Sequence, residues 1–202
     1  MVTVCLVPFE NKKQFFKTLN RVEKAEGDFK ITVINNSQED YMVPPPITYR
    51  HSKNENQLAG ATNQAIQLCD TKYFVYVCTN HVYFYSDDWL STMVAEMETR
   101  PEIAMGGTVL PYRDEPHVQG GLFIARTDIM KNNLYKYDHP FRFMDVYMSW
   151  RLMEGGYKLG ELKSIYSIYK STRIKEWTPE DHQRNLKNLK YKAVHGHGLE
   201  AY

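Results

Sequence analysis

Three apolar runs of this sequence each end in polar residues of types that bind nucleotides. These polar residues are Glu10, Asn35, Asn36, Asn80 and His81. Carboxylate, amide and imidazole groups can hydrogen-bond a base, a ribose or a diphosphate. In an open α/β sheet, ligands bind at the carboxyl ends of the strands, so side chains in these positions are candidate ligand contacts. Asparagines are also common turn formers, so Asn35 and Asn36 would fit these positions without a ligand.

The elements that must position these groups alternate between strands and helices. Runs rich in β-branched and aromatic residues predict strands at Val2–Pro8, Lys30–Asn35, Tyr73–Cys78, Ile103–Leu110 and Gly120–Ala125. Apolar residues at helical spacing predict helices at Lys12–Lys24, Asn56–Cys69, after Ser86-Asp87-Asp88, and at Asp145–Glu154. Pro44-Pro45-Pro46 indicates a loop. This order predicts an α/β fold with a mainly parallel central sheet flanked by helices on both faces.

The composition excludes several classes of protein. The 202 residues include 25 Lys and Arg against 24 Asp and Glu, a net charge of +1, and a nucleic-acid binder needs a clear basic excess. No apolar run is long enough to span a bilayer, and the first residues do not form a signal peptide. The three cysteines lack the spacing of a metal or redox motif. We therefore expect no integral membrane segment and a cytoplasmic location.

The first turn does not have the glycines of a dinucleotide-binding loop. It reads Pro8-Phe9-Glu10-Asn11, and no P-loop motif occurs elsewhere. Without such a loop, side chains at the strand ends must hold any nucleotide.

Four parts of the chain then occur in a characteristic order. They are Val2–Asn11, Ile31–Ser37, Asn56–Asn63 with Tyr73–Val82, and Gly120–Arg126 with Phe143–Leu152. This order resembles the nucleotide-sugar glycosyltransferases of the GT-A fold, in particular family 2, and the small size is similar to glycosyltransferases of large chlorella viruses, which would act in the host cytoplasm. The resemblance implies a GT-A, Rossmann-like fold and transfer of a sugar from a UDP-sugar donor to a hydroxyl of a glycan or glycoprotein acceptor, often with Mn2+ or Mg2+.

The resemblance also assigns roles to residues of this chain. It implies Asp145 as the catalytic residue, His81 as a metal ligand, and Gly120, Gly121 and Trp150 as acceptor contacts. The implied nucleotide-sugar contacts are Pro8, Glu10, Asn35, Asn36, Asn63, Asn80, His81, Lys170 and Arg173. Trp150 has packing of its helix as an alternative role.

The sequence departs from the family pattern at its acidic positions. The family's Asp-x-Asp metal motif is here Thr79-Asn80-His81-Val82, and the acid after the second strand is Asn35 or Asn36. Mg2+ and Mn2+ prefer oxygen ligands, so His81 could instead hydrogen-bond the diphosphate without a metal. Positive charge from His81, Lys170 or Arg173 would then stabilise the leaving group. A solvated basic surface is the other reading of Lys170 and Arg173.

Asp145 occupies the second position of the family's Glu-Asp pair, and Met144 stands in place of the Glu. An acceptor hydroxyl is a poor nucleophile, and an inverting transfer needs a carboxylate within reach of its proton. We therefore expect Asp145 to act as the general base, although an aspartate in the first turn of a helix also stabilises the helix dipole. Asp87 and Asp88 resemble a metal pair, but Ser86 and the following apolar stripe favour helix capping.

We expect residues 1–160 to form the GT-A nucleotide-sugar-binding and catalytic body, and 161–202 to form a basic segment that completes the same domain. This segment carries 8 Lys and Arg against 5 Asp and Glu. The short length is consistent with a soluble enzyme and with one domain of a longer multidomain transferase. Open alternatives are a retaining glycosyltransferase, a non-catalytic nucleotide-sugar or glycan-binding module, and a nucleic-acid binder that uses the basic segment and the tyrosines.

Overall fold

A computed structural model describes residues 1–8, 11–52, 58–79, 82–112, 115–135, 144–165 and 169–171. The strands are β1 Val2–Leu6, β2 Phe29–Asn35, β3 Thr48–His51, β4 Tyr73–Val77, β5 Val82–Phe84, β6 Ile103–Tyr112, β7 Glu115–Arg126, β8 Lys158–Glu161 and β9 Tyr169–Ser171. The helices are α1 Lys12–Val22, α2 Leu58–Leu68, α3 Trp89–Glu98, α4 Thr127–Asn132 and α5 Met144–Glu154.

Seven strands form one central sheet in the order β3-β2-β1-β4-β7-β6-β8. The pairs β3–β2, β2–β1, β1–β4 and β6–β8 are parallel, and β7 runs antiparallel to both of its neighbours, β4 and β6. The predicted α/β fold with a mainly parallel central sheet is confirmed. A separate pair of strands, β5 and β9, forms a small antiparallel sheet.

Helices cover both faces of the sheet, as predicted, because the strands are apolar on both sides. One core joins the sheet to α1 and α3 through large side chains such as Phe15, Leu19, Trp89 and Met93. The other core joins the sheet to α2, α4 and α5 through Ile66, Met130, Tyr147 and Met148. Every residue of β1 and β4 is buried, as expected for central strands of a parallel sheet.

Several element boundaries follow from local chemistry. Asn11 caps α1, because its side chain accepts a hydrogen bond from the Gln14 N–H at 3.0 Å. After α5, Gly156 adopts a positive φ of 79°, which ends the helix as the glycine pair predicted.

Other predictions need correction. Asp88 occupies the cap position of α3 but makes no side-chain cap bond, and α3 has no acidic residue in its first turn. Asp88 accepts a hydrogen bond from the Ser86 hydroxyl instead, and Asp87 lies 3.9 Å from Arg21 on the surface. The stretch after the three prolines contains the edge strand β3, which the loop prediction missed because most of its residues are exposed. Within the described residues, no helix has the length and apolar character to cross a membrane.

Candidate functional site

The carboxyl ends of β2, β1 and β4 lie side by side and meet the middle of β7. The carbonyl of Pro8, just beyond β1, accepts a hydrogen bond from the Asn36 N–H at 3.2 Å. Beyond β4, the Cys78 N–H donates to the carbonyl of Gly121 at 2.8 Å. The fold therefore brings Pro8, Asn36 and Gly121 to one edge of the sheet, across four adjacent strands that span about 14 Å.

Asn35 and Asn36 have different environments at this edge. The Asn35 amide donates to the Glu39 carbonyl at 2.6 Å and to the Tyr49 hydroxyl at 3.0 Å, and its oxygen accepts from the Ser37 N–H. Asn35 thus closes the loop after β2. The Asn36 side chain is buried, and neither of its amide atoms has a hydrogen-bond partner among the described residues. An unpaired buried amide costs about 1–3 kcal/mol, so Asn36 is the asparagine of the pair with bonding capacity for a ligand.

Tyr49 on β3 holds the same loop from the other side. Its hydroxyl donates to Asp40 at 2.6 Å and accepts from the Tyr41 N–H at 3.2 Å. Burial and the hydrogen bond to Asp40 raise the pKa of Tyr49, so it stays a neutral donor. Sequence reasoning missed this role because β3 was not predicted.

Asp145 lies in the first turn of α5, directly against β7. Its Oδ2 accepts the Gly120 N–H at 2.9 Å, and its Oδ1 accepts the Val146 N–H at 3.0 Å. A Cβ placed on Gly120 would lie 3.1 Å from the Asp145 Cβ, so glycine allows a closer approach than any other residue would without a shift of Asp145. Each carboxylate oxygen has two lone pairs and accepts one hydrogen bond from the described residues, which leaves both oxygens able to accept a substrate proton.

β7 has an irregularity at the point where Asp145 contacts it. Gly107 of β6 pairs with Phe123 and Val109 pairs with Val118, so Thr108 alone faces the four residues 119–122 of β7. Such bulges redirect a strand locally and are frequent beside active sites. The extra residues include Gly120, which bonds Asp145, and Gly121, which bonds Cys78 just beyond β4.

Among the described residues, the side chains of Tyr135 and His117 interact with the charge of the Asp145 carboxylate. Burial raises the pKa of Tyr135, and the charge of Asp145 raises it further. Burial lowers the pKa of His117, and Asp145 opposes that shift without cancelling it. Both residues are therefore uncharged near neutral pH, and neither supplies a positive charge to Asp145. His117 was missed from the sequence, where its only signal was a histidine three residues before Gly120, the first of the glycine pair.

Asn63, a predicted nucleotide-sugar contact, binds the backbone of Tyr135. It is buried on α2, donates to the Tyr135 carbonyl at 2.6 Å and accepts from the Tyr135 N–H at 2.8 Å. From α5, the Arg151 guanidinium donates to the Leu134 carbonyl at 3.1 Å. These two side chains fix the backbone at 134–135 from opposite helices, close to the start of the segment that leads to Asp145.

The remaining predicted residues are placed only in part. Trp150 is buried on α5, which agrees with its packing alternative. Lys170 lies in β9 opposite Tyr83 of β5, and β5 begins immediately after His81 in sequence. Glu10, Asn80, His81 and Arg173 lie outside the described residues.

The residues that the structure describes do not form a carboxylate-rich metal site. Within the described part of the chain, no three His, Cys, Asp or Glu residues lie together in a way that could hold a metal ion. The sequence after β4 offers one amide and one imidazole, Asn80 and His81, whereas Mg2+ and Mn2+ prefer sets of oxygen ligands. This donor set does not fit the family's metal, and His81 as a ligand stays a prediction.

Comparison with known proteins identifies the class. The model of glycosyl transferase family 2 matches residues 7–152, which is well over half of the chain. The chain belongs to this family, and it is a glycosyltransferase-type domain. Among curated proteins, none matches the sequence significantly.

Solved structures show the same GT-A fold at low sequence identity. The mannosyltransferase PcManGT from Pyrobaculum calidifontis, in complex with GDP-Man and Mn2+, has a TM-score of 0.67 at 14% identity, over 79% of this chain and 54% of that one. S. aureus TarS 1-349 has a TM-score of 0.64 at 12% identity, over 91% and 62%. The same protein in complex with UDP-GlcNAc has a TM-score of 0.62 at 12% identity, over 84% and 58%. The chain thus spans less than two thirds of the length of these proteins.

Proposed function

We propose that this chain transfers a sugar from a UDP-sugar to a hydroxyl of a glycan or glycoprotein acceptor, with inversion and with Asp145 as the general base. The observation that carries this proposal is the contact between Asp145 and Gly120 beside the end of β4. There, a carboxylate with free lone pairs adjoins the strand ends where ligands bind in α/β sheets.

The donor would lie across the ends of β1, β2 and β4. Asn36 supports a contact to the base or ribose, because it has unused hydrogen-bonding capacity. Glu10 and Pro8 would complete this part of the site. The complex of TarS with UDP-GlcNAc makes UDP the first donor nucleotide to test, and the PcManGT complex with GDP-Man makes GDP the second.

The reaction is a displacement at the anomeric carbon. The acceptor oxygen forms a bond to that carbon, the bond from the carbon to the diphosphate oxygen breaks, and the acceptor proton passes to an oxygen of Asp145. The diphosphate leaves with negative charge, which His81, Lys170 and Arg173 would stabilise. No step is assigned to a metal, because Asn80 and His81 do not supply the set of oxygen ligands that Mg2+ and Mn2+ prefer.

Calorimetry tests the donor site. UDP, GDP and a non-nucleotide control such as pyrophosphate are titrated into the protein with and without Mn2+, and a panel of nucleotide sugars is then screened for turnover. The proposal expects UDP to bind in the micromolar to millimolar range typical of substrates, about 1 μM–1 mM. Absence of UDP binding under every condition would refute the donor assignment. UDP binding without turnover of any donor would favour the non-catalytic nucleotide-sugar-binding module.

A further inference from the structure

Glu96 on α3 binds the turn that follows β8. Its Oε1 accepts the Lys163 N–H at 2.7 Å, and its Oε2 accepts both the Ser164 N–H at 3.2 Å and the Ser164 hydroxyl at 2.8 Å. Three donors on one carboxylate make strong charge-assisted bonds. Burial alone would raise the pKa of Glu96, but the bonds from Lys163 and Ser164 outweigh burial and lower the pKa. Glu96 therefore stays charged, and keeps these bonds, in mildly acidic solution.

The turn that Glu96 holds leads directly to the small sheet. Leu162 and Ile165 at its two ends are fully buried in the core beside α3. Only residues 166–168 separate the turn from β9, and β9 pairs with β5. A linker of three residues spans at most about 11 Å, so the position of the turn limits where β9 can lie.

The same helix also holds the other strand of the small sheet. Phe84, the last residue of β5, stacks on Trp89, the first residue of α3, with ring centroids 4.1 Å apart. Trp89 is fully buried, so this contact belongs to the core. The first turn of α3 thus fixes β5, and Glu96 two turns later fixes the approach to β9.

The neighbouring Glu98 shows that Glu96 differs from an ordinary surface acid. Glu98 forms an exposed ion pair with Lys72 at 2.6 Å, and such pairs contribute little to stability. Its contact is to the start of β4, at the opposite end of that strand from the predicted donor site. Glu98 therefore provides a matched control on the same helix.

We propose that Glu96 is a positioning residue for donor binding. By holding the turn at 162–165, it sets β9, which carries Lys170, against β5, the strand that follows the end of β4 where the diphosphate would bind. The link to the diphosphate rests on the proposed function, whereas the effect of Glu96 on β9 does not.

Hydrogen exchange of the backbone amides tests the effect on β9. Glu96→Gln keeps the size of the side chain but removes its charge. It also replaces one carboxylate oxygen with an NH2 group, which cannot accept a hydrogen bond from the N–H groups of the turn. We expect the amides of 169–171 and 82–84 to exchange roughly tenfold faster in Glu96→Gln, because a lost charge-assisted bond changes a local opening equilibrium by about that factor. The amides of β1 and β2 should be unaffected, and Glu98→Gln should match the wild type. Unchanged exchange in β9, or equal acceleration throughout the sheet, would overturn the proposal.

Ser164→Ala is the milder variant, for use if Glu96→Gln fails to fold. It removes one of the three bonds and leaves the carboxylate and both backbone donors in place. We expect a smaller acceleration that is again confined to 169–171 and 82–84. No acceleration in Ser164→Ala, with Glu96→Gln unfolded, would mean that the contact supports the core as a whole and would overturn the positioning role.

Steady-state kinetics test the link to the donor. We expect Glu96→Gln to raise the KM for the nucleotide sugar roughly 5- to 10-fold, because Lys170 is displaced from the diphosphate. Any fall in kcat should come from the same displaced charge on the leaving group, because the base and the acceptor site are untouched. A purely structural role would lower the active fraction, and hence kcat, at constant KM. If no nucleotide sugar is turned over by the wild type, the proposed function fails, while the exchange experiment still decides the role of Glu96.

Discussion

Replacing Gly120 with alanine should displace the proposed base without removing it. The new Cβ would lie 3.2 Å from Asp145 Oδ2, 3.1 Å from its Cβ and 3.4 Å from its Cγ. Comfortable carbon contacts begin at about 3.5 Å, so the carboxylate must retreat by about 0.3–0.5 Å. The retreat also lengthens the 2.9 Å bond from the Gly120 N–H, which orients Oδ2.

The size of the kinetic effect follows from this displacement. A misplacement of 1 Å can cost about 100-fold in rate, so a few tenths of an ångström should cost about 3- to 10-fold in kcat. A tenfold loss corresponds to about 1.4 kcal/mol in the activation free energy. Folding stability should change by only about 1 kcal/mol or less, because alanine also restricts the unfolded chain.

The assay compares kcat, UDP affinity and Tm of Gly120→Ala with those of Gly155→Ala. Gly155 is a matched control at the other end of α5, where an added Cβ would lie 3.2 Å from the ring of Tyr157. The Gly155→Ala variant meets similar crowding but lies remote from Asp145, so its kcat should stay near the wild-type value. UDP affinity should stay within about twofold of wild type in both variants.

A double variant makes this test sharper. If Gly120 acts through the Asp145 carboxylate, adding Gly120→Ala to Asp145→Asn should cause little further loss, because the coupled effects are not additive. Wild-type kcat in Gly120→Ala, equal losses in Gly120→Ala and Gly155→Ala, or full additivity in the double variant would each refute this reasoning.

Two further predictions concern charge. Lys170→Ala and Arg173→Ala should each weaken UDP binding about 3- to 10-fold by calorimetry and leave uridine binding unchanged, because the lost contact is to phosphate. The control is Lys30→Ala, which removes an exposed lysine paired with Asp70. Unchanged UDP affinity in both Lys170→Ala and Arg173→Ala would refute phosphate binding by the basic segment. Because the pKa of His117 is lowered in the folded state, the unfolded chain binds the extra proton and stability should fall as the pH drops below about 6.5. Between pH 7 and 5.5, the free energy of unfolding in urea should fall less in His117→Gln than in the wild type. The control is His51→Gln, which changes an exposed histidine and should fall as the wild type does. An equal fall in all three proteins would contradict the assignment.

The sequence predicts the elements whose apolar pattern is strong. β1, β2, β4, α1 and α5 appear within a few residues of their expected limits, because buried strands and amphipathic helices leave a clear periodicity. The direction of β7 is not predictable in this way. An apolar run looks the same whichever way the strand runs, and its antiparallel pairing with β4 is decided by the chain connections.

The elements that sequence reasoning missed are short and depend on distant partners. β3 is an edge strand of four residues with little burial, and β8 is another of the same length. β5 and β9 have three residues each, and their paired residues lie 85–89 positions apart in sequence. Neither strand therefore leaves a pattern of its own.

In the candidate site, some contacts were predictable from the sequence and others were not. Asp145 and Gly120 were both expected near the acceptor, and they are in contact, 25 residues apart in sequence. The amide of Asn63 was expected at the nucleotide, but it binds the backbone of Tyr135, 72 residues away. Glu96 binds a turn 67–68 residues away. Long-range polar contacts of this kind leave only a weak signal, such as a polar residue on an otherwise apolar helix face.

The most direct test of the central claim is the turnover of Asp145→Asn on a nucleotide sugar that the wild type uses. Asp128→Asn is the matched control, because Asp128 is also an aspartate in the first turn of a helix, α4, and is exposed. Removing a general base typically costs about 10²- to 10⁴-fold, so kcat of Asp145→Asn should fall by about that factor while UDP affinity is retained. Asp128→Asn should turn over as the wild type does. Full turnover by Asp145→Asn, with an intact fold, would contradict the assignment of Asp145 as the base.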